Sequence, residues 1–78
     1  MGEIQLLDVV ALLEDVPEDG LLRGEVGTVV EVFPARDGRL RALLVEFSDR
    51  SGRAYAFADL RPDQLIRLQY REAARDAA

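Results

Sequence analysis

A chain of 78 residues is a single small domain, and a domain of this size buries only ~60% of the surface that its unfolded chain exposes. Cys and His are both absent, so neither disulfides nor a Cys/His metal clip can staple it. Its stability must come from its 49% hydrophobic residues, alone or with self-association, while a net charge of −5 sets the chain on average against nucleic acid and anionic membrane.

Leu6 to Leu13, LLDVVALL, is rich in apolar and β-branched residues and reads as a first strand. The segment Glu14 to Gly20 is a polar loop. Within it, Pro17 steers Val16 away from helical geometry and Gly20 supplies a residue free to take a positive φ. After Leu21-Leu22-Arg23-Gly24, the segment Glu25 to Phe33 is the clearest strand, dense in Val and Thr. Gly27 inside it is expected to mark a bulge or sharp bend, which leaves open whether Val29 or Val30 faces inward.

Pro34 ends that strand, and Asp37-Gly38 is a strong hairpin signal. Arg39 to Phe47 returns, with Leu43, Val45 and Phe47 facing the core and Glu46 marking the wet side. Ser48 to Gly52 forms a second turn, and Arg53 to Ala58 a fourth strand. Asp59 to Leu65 breaks the strand pattern, and Pro62 suits the first turn of a short helix. Ile66-Arg67-Leu68 is a last short strand. Tyr70 to Ala78 has good helix formers without an apolar stripe and reads as a helical or disordered tail.

This order predicts an all-β fold: a small five-stranded SH3-like barrel over residues 1–69, with one short 3-10 turn before the last strand, and a tail over 70–78. Bent strands that close on themselves leave few exposed edges.

The residue inventory excludes most catalysis. Without His, Cys or Lys there is no imidazole base, thiol nucleophile or Schiff-base amine. Thr28, Ser48 and Ser51 are the only aliphatic hydroxyls, and nothing in the sequence activates them. Glu14, Asp15, Glu18 and Asp19 cluster in the first loop, but their spacing misses the alternate-position pattern of a calcium loop. Gly24-Glu25-Val26-Gly27 precedes a strand, so no helix N-terminus would face a phosphate there. The chain is therefore expected to be no enzyme and to carry no cofactor or metal. No stretch reaches the ~20 apolar residues of a membrane helix, and no basic region precedes an apolar run at the N-terminus. Together with the lack of Cys, this predicts a cytoplasmic protein without membrane contact.

The charge is unevenly placed. Up to Glu31 the acids Glu3, Asp8, Glu14, Asp15, Glu18, Asp19, Glu25 and Glu31 face Arg23 alone, whereas Arg36 to Arg53 carries five arginines against three acids. Tyr55 and Phe57 admit two uses: a platform for a peptide or single-stranded nucleic acid, or core filling. With only five aromatic residues in the chain, the core is the expected place for both.

The run LLDVVALLEDVPEDGLLRGEVGTVVEV, the segment VEFSD, Gly52 to Ala56, and Leu60 with Asp63-Gln64-Leu65 together resemble the short bacterial proteins of domain-of-unknown-function family 4926. The resemblance covers Leu6 to Leu68. It implies an SH3-like barrel, a bacterial source and a role as an accessory or antitoxin-type partner of a neighbouring gene product, with no established activity.

The expected function is a non-catalytic protein-binding module for a basic partner. Glu14, Asp15, Glu18, Asp19, Leu21, Leu22, Arg53 and Tyr55 are the candidate contacts. The alternatives are a nucleic-acid-binding small barrel using the Arg36 to Arg53 hairpins, which the net charge opposes, and a structural subunit of a homo- or hetero-oligomer.

Overall fold

The computed structural model describes residues 2–69, so the expectations for Tyr70 to Ala78 lie outside the described residues. Five strands form: β1 (Val9–Leu12), β2 (Val26–Phe33), β3 (Ala42–Ser48), β4 (Ala54–Leu60) and β5 (Leu65–Arg67). Short 3-10 turns occupy Pro17–Asp19 and Pro62–Gln64, each opened by a proline whose fixed φ suits a first helical position.

All pairings are antiparallel, and the sheet order is β4-β3-β2-β1-β5. The expected closed barrel is corrected here. β4 and β5 lie at the two edges, and no ladder joins them among the described residues. The sheet still curls. Leu12 and Leu65 near one edge share a buried cluster with Ala58 and Leu60 of the other, together with Val10, Val29, Leu43, Val45 and Phe47.

Two register shifts allow this curl. Val29 pairs with Val45 but Glu31 with Leu44, so Val30 is an extra residue in β2. The bulge switches the alternation: Val29 is fully buried, Glu31 is exposed, and Val32 packs against the core. Gly27 was the expected bulge, but it serves another purpose. A Cβ there would lie 2.6 Å from Val45 Cγ1 and 2.7 Å from the Glu46 carbonyl oxygen, so only glycine allows β3 to approach so closely.

The second shift lies in β4. Phe47 pairs with Ala56 but Ser48 with Ala54, which makes Tyr55 the extra residue. β4 also runs two residues beyond the expected Ala58, to Leu60. Ala58 and Leu60 are buried, Ala56 packs on the core, and Tyr55 and Phe57 are exposed. The expectation that both rings fill the core is therefore wrong. Phe47, Leu12, Leu21 and Leu43 already fill the concave side, and small alanines let β4 fold over them.

The hairpin turn at Asp37-Gly38 forms as expected. Both residues have positive φ, 50° and 81°, and Arg36 and Arg39 exchange both backbone hydrogen bonds, at 3.1 and 2.8 Å. That is the primed turn whose twist matches the flanking strands.

Candidate functional site

The first loop is built rather than loose. Val16 and Leu21 face each other across an isolated bridge, and both are buried in the core. Between them, the 3-10 turn Pro17–Asp19 ends at Gly20, whose left-handed conformation (φ 69°) lets its N–H donate to the Pro17 carbonyl. Two apolar anchors and a capped turn thus hold up a short acidic segment. Leu21 belongs to the anchor: at 2% exposure it cannot be the partner contact that the sequence suggested.

The other loop residues divide by role. The Asp15 carboxylate accepts from the Arg23 N–H at 2.8 Å, tying the two ends of the loop together. Glu14 accepts from the Gln64 side-chain amide at 3.2 Å, linking the loop to the turn before β5. Glu18 and Asp19 are exposed on the 3-10 turn. None of the four carboxylates forms an ion pair among the described residues. Nor does any group of three Asp or Glu converge there as metal ligands would.

Glu25, which sequence reasoning did not single out, joins the loop to the sheet. One carboxylate oxygen accepts from the Leu22 N–H at 2.7 Å, and the other from the Tyr55 hydroxyl at 2.5 Å. The Tyr55 phenol is consequently pushed up to about 12, first by that hydrogen bond, then by burial, then by the negative charges of Glu25 and Asp49. The bond ties the ring of Tyr55 to the end of the loop while leaving half of the residue exposed, and Leu22, whose backbone N–H the same carboxylate holds, is exposed as well.

Arg53 lies at the end of the β3–β4 turn. Its N–H donates to Asp49, whose carboxylate also accepts from the Ser51 N–H and hydroxyl. These bonds hold the Asp49 carboxyl below its ordinary value, the Ser51 hydroxyl contributing most. The Arg53 guanidinium has no ion pair among the described residues.

The structure therefore ties the Leu22 backbone and the Tyr55 hydroxyl to one carboxylate, Glu25, with Glu18 and Asp19 exposed on the preceding 3-10 turn and Leu21 buried in the core. Phe57, exposed on the same strand as Tyr55, adds a second ring to the convex surface. The role of Glu25 rests on a side-chain hydrogen bond from Tyr55, 30 residues away in the chain, which local sequence pattern does not carry.

Known proteins give one point of comparison. No curated protein and no solved structure matches the chain. The profile of the family described as Domain of unknown function (DUF4926) matches residues 6–67, a span from just before β1 to the end of β5 that takes in the whole acidic loop. The chain belongs to that family.

Proposed function

We propose that this protein is a non-catalytic binding module that recognises a basic protein partner through the Glu14 to Tyr55 surface. One observation carries the reading. The Glu25 carboxylate bonds both the backbone N–H of exposed Leu22 and the hydroxyl of exposed Tyr55, and two exposed carboxylates of the same loop, Glu18 and Asp19, form no ion pair among the described residues. Exposed apolar groups tied to a loop that carries unpaired charge suit a partner with apolar and basic residues: the apolar groups supply burial, and the charges steer encounter. The lack of His, Cys and Lys supports a role without catalysis. The strand order β4-β3-β2-β1-β5, with a 3-10 turn before the last strand, supports kinship with SH3-like barrels whose sheet has stayed open. A cytoplasmic accessory or antitoxin-type role is part of the same proposal, and the family resemblance supports it.

The test is an affinity pull-down from a bacterial lysate with the wild-type protein and the Glu18→Lys/Asp19→Lys variant. These two positions are chosen because Glu14 and Asp15 also hold the loop together. A stoichiometric partner should bind the wild type, and its association with the variant should slow about tenfold or more at low salt. A partner whose association rate does not change would overturn the assignment of the acidic loop.

A further inference from the structure

At the opposite end of the sheet from the acidic loop, we infer that a groove beneath the β2–β3 hairpin binds an acidic peptide segment, an apolar side chain flanked by a carboxylate. The groove has a volume of about 490 Å³. Phe33, Pro34, Leu40 and Ala42 form its apolar walls, and Arg36 and Arg39 line its hairpin end. Leu40 is 75% exposed, so these apolar walls stand open to solvent.

The two arginines make this more than a dent. They are directly opposite each other across the two-residue turn and exchange both backbone hydrogen bonds. Directly opposite residues of an antiparallel pair send their side chains to one face, with Cβ atoms about 5 Å apart, and like charges placed so are destabilising. Arg41, Arg61 and Arg67 each have an acidic partner, in Glu3, Asp63 and Asp8. Arg36 and Arg39, like Arg23, Arg50 and Arg53, have none among the described residues, but only these two line the groove. The hairpin therefore places two like charges on one face at the end of an apolar groove. A carboxylate bridging them would neutralise both charges and accept charge-assisted hydrogen bonds from both.

Asp59 on β4 lines the same groove and gives it polarity. The ligand carboxylate belongs at the arginine end, and its apolar side chain lies along Phe33 and Ala42. A nucleic acid strand is the poorer fit. Each of its phosphates carries a charge, and the groove offers only two arginines to neutralise them, on a chain of net charge −5. The groove is remote from the Glu25–Tyr55 surface, so this inference stands or falls separately from the proposed function.

The experiment is a titration of the ¹⁵N-labelled full chain at low salt, followed by amide chemical shifts. N-acetyl-Phe-Glu is the probe, N-acetyl-Phe-Gln-amide its neutral counterpart, and an eight-residue oligothymidylate the nucleic-acid arm. The acidic peptide should move the amides of Arg36, Gly38, Arg39, Leu40, Ala42 and Asp59 in a saturable way. The neutral peptide should bind about tenfold or more weaker, and Arg36→Gln/Arg39→Gln should reduce acidic-peptide binding by a similar factor. The hairpin bonds at these positions are backbone bonds, so the variant keeps its turn, and its unshifted spectrum elsewhere verifies that. Equal binding of the charged and neutral peptides, an unaffected double variant, no saturable shift, or oligothymidylate moving these amides where the peptide does not would each overturn the inference.

Discussion

At residue scale, two side-chain decisions govern this molecule, and one is the absence of a side chain. Gly27 is buried in β2, and a Cβ there would meet a backbone oxygen of β3 as well as the Val45 methyl. A flexible side chain could swing away, but a backbone carbonyl inside a ladder cannot. Gly27→Ala should therefore destabilise the fold by about 2 kcal/mol, the range of overpacked cores, measured by urea denaturation. An unchanged midpoint would show that β2 and β3 have slack at this point. Tyr55 makes the complementary case. Its hydroxyl donates to Glu25, and folding raises its pKa from 10.0 to about 12. A raised pKa stabilises the fold fully below the unfolded value, and that contribution is lost as pH rises from about 10 toward 12. Ultraviolet titration of phenolate should show one ionisation near 12 that Tyr55→Phe removes, and wild type and variant should converge in stability across that window. Coincident stability curves at pH 8 would mean that the Glu25 bond holds the ring in place without stabilising the fold.

At the scale of elements, turns and alternation were legible in the sequence and bulges were not. Asp37-Gly38, Gly20 and Pro62 announce their turns because their chemistry is local, and each formed where expected. Leu43, Val45 and Phe47 were legible as core because Glu46 interrupts them on the wet side. Tyr55 and Phe57 misled for a physical reason. The scarcity of aromatics argues for the core, and a fourth strand ending at Ala58 leaves Asp59 and Leu60 out of the alternation that argues against it. With them included, Asp59 falls on the side of Phe57 and Leu60 on the side of Ala58, and the rings read as exposed. The extra residues Val30 and Tyr55 depend on how neighbouring strands bend, which no local pattern encodes. The β3–β4 turn depends on Asp49, which gathers three hydrogen bonds from Ser51 and Arg53. Its carboxyl is held below 3.8, so its contribution is present above about pH 4 and is lost as pH falls through the folded value. Asp49→Ala should speed amide exchange at Ser51 and Arg53 at neutral pH, and the difference from wild type should fade in acid. Identical exchange at pH 7 would leave the turn to Gly52 alone.

At the scale of the whole molecule, the open question is how a curled sheet of five strands ends without closing. β5 is only three residues long, so its edge offers little for another strand to pair with. β4 is seven residues long, lies at the other edge, and has neither Pro nor Lys to discourage pairing; only the bulge at Tyr55 and the single charge of Asp59 do so. In an antiparallel ladder, alternate residues of an edge strand send their N–H groups away from the sheet. Hydrogen exchange should therefore split β4 into two sets. Residues bonded to β3 should be protected nearly as well as β2 and β3 themselves, and the alternating set should exchange at close to solvent rates. A barrel closed between β4 and β5 would protect both sets at every concentration. Protection of both sets that grows with protein concentration would instead show β4 pairing with β4 of a second copy. Independence from concentration, with fast exchange at the alternate sites, would establish the open monomer. In that case the Glu25–Tyr55 clamp at one end of β4 and the Asp59 groove at the other border a strand edge with room for a partner's main chain.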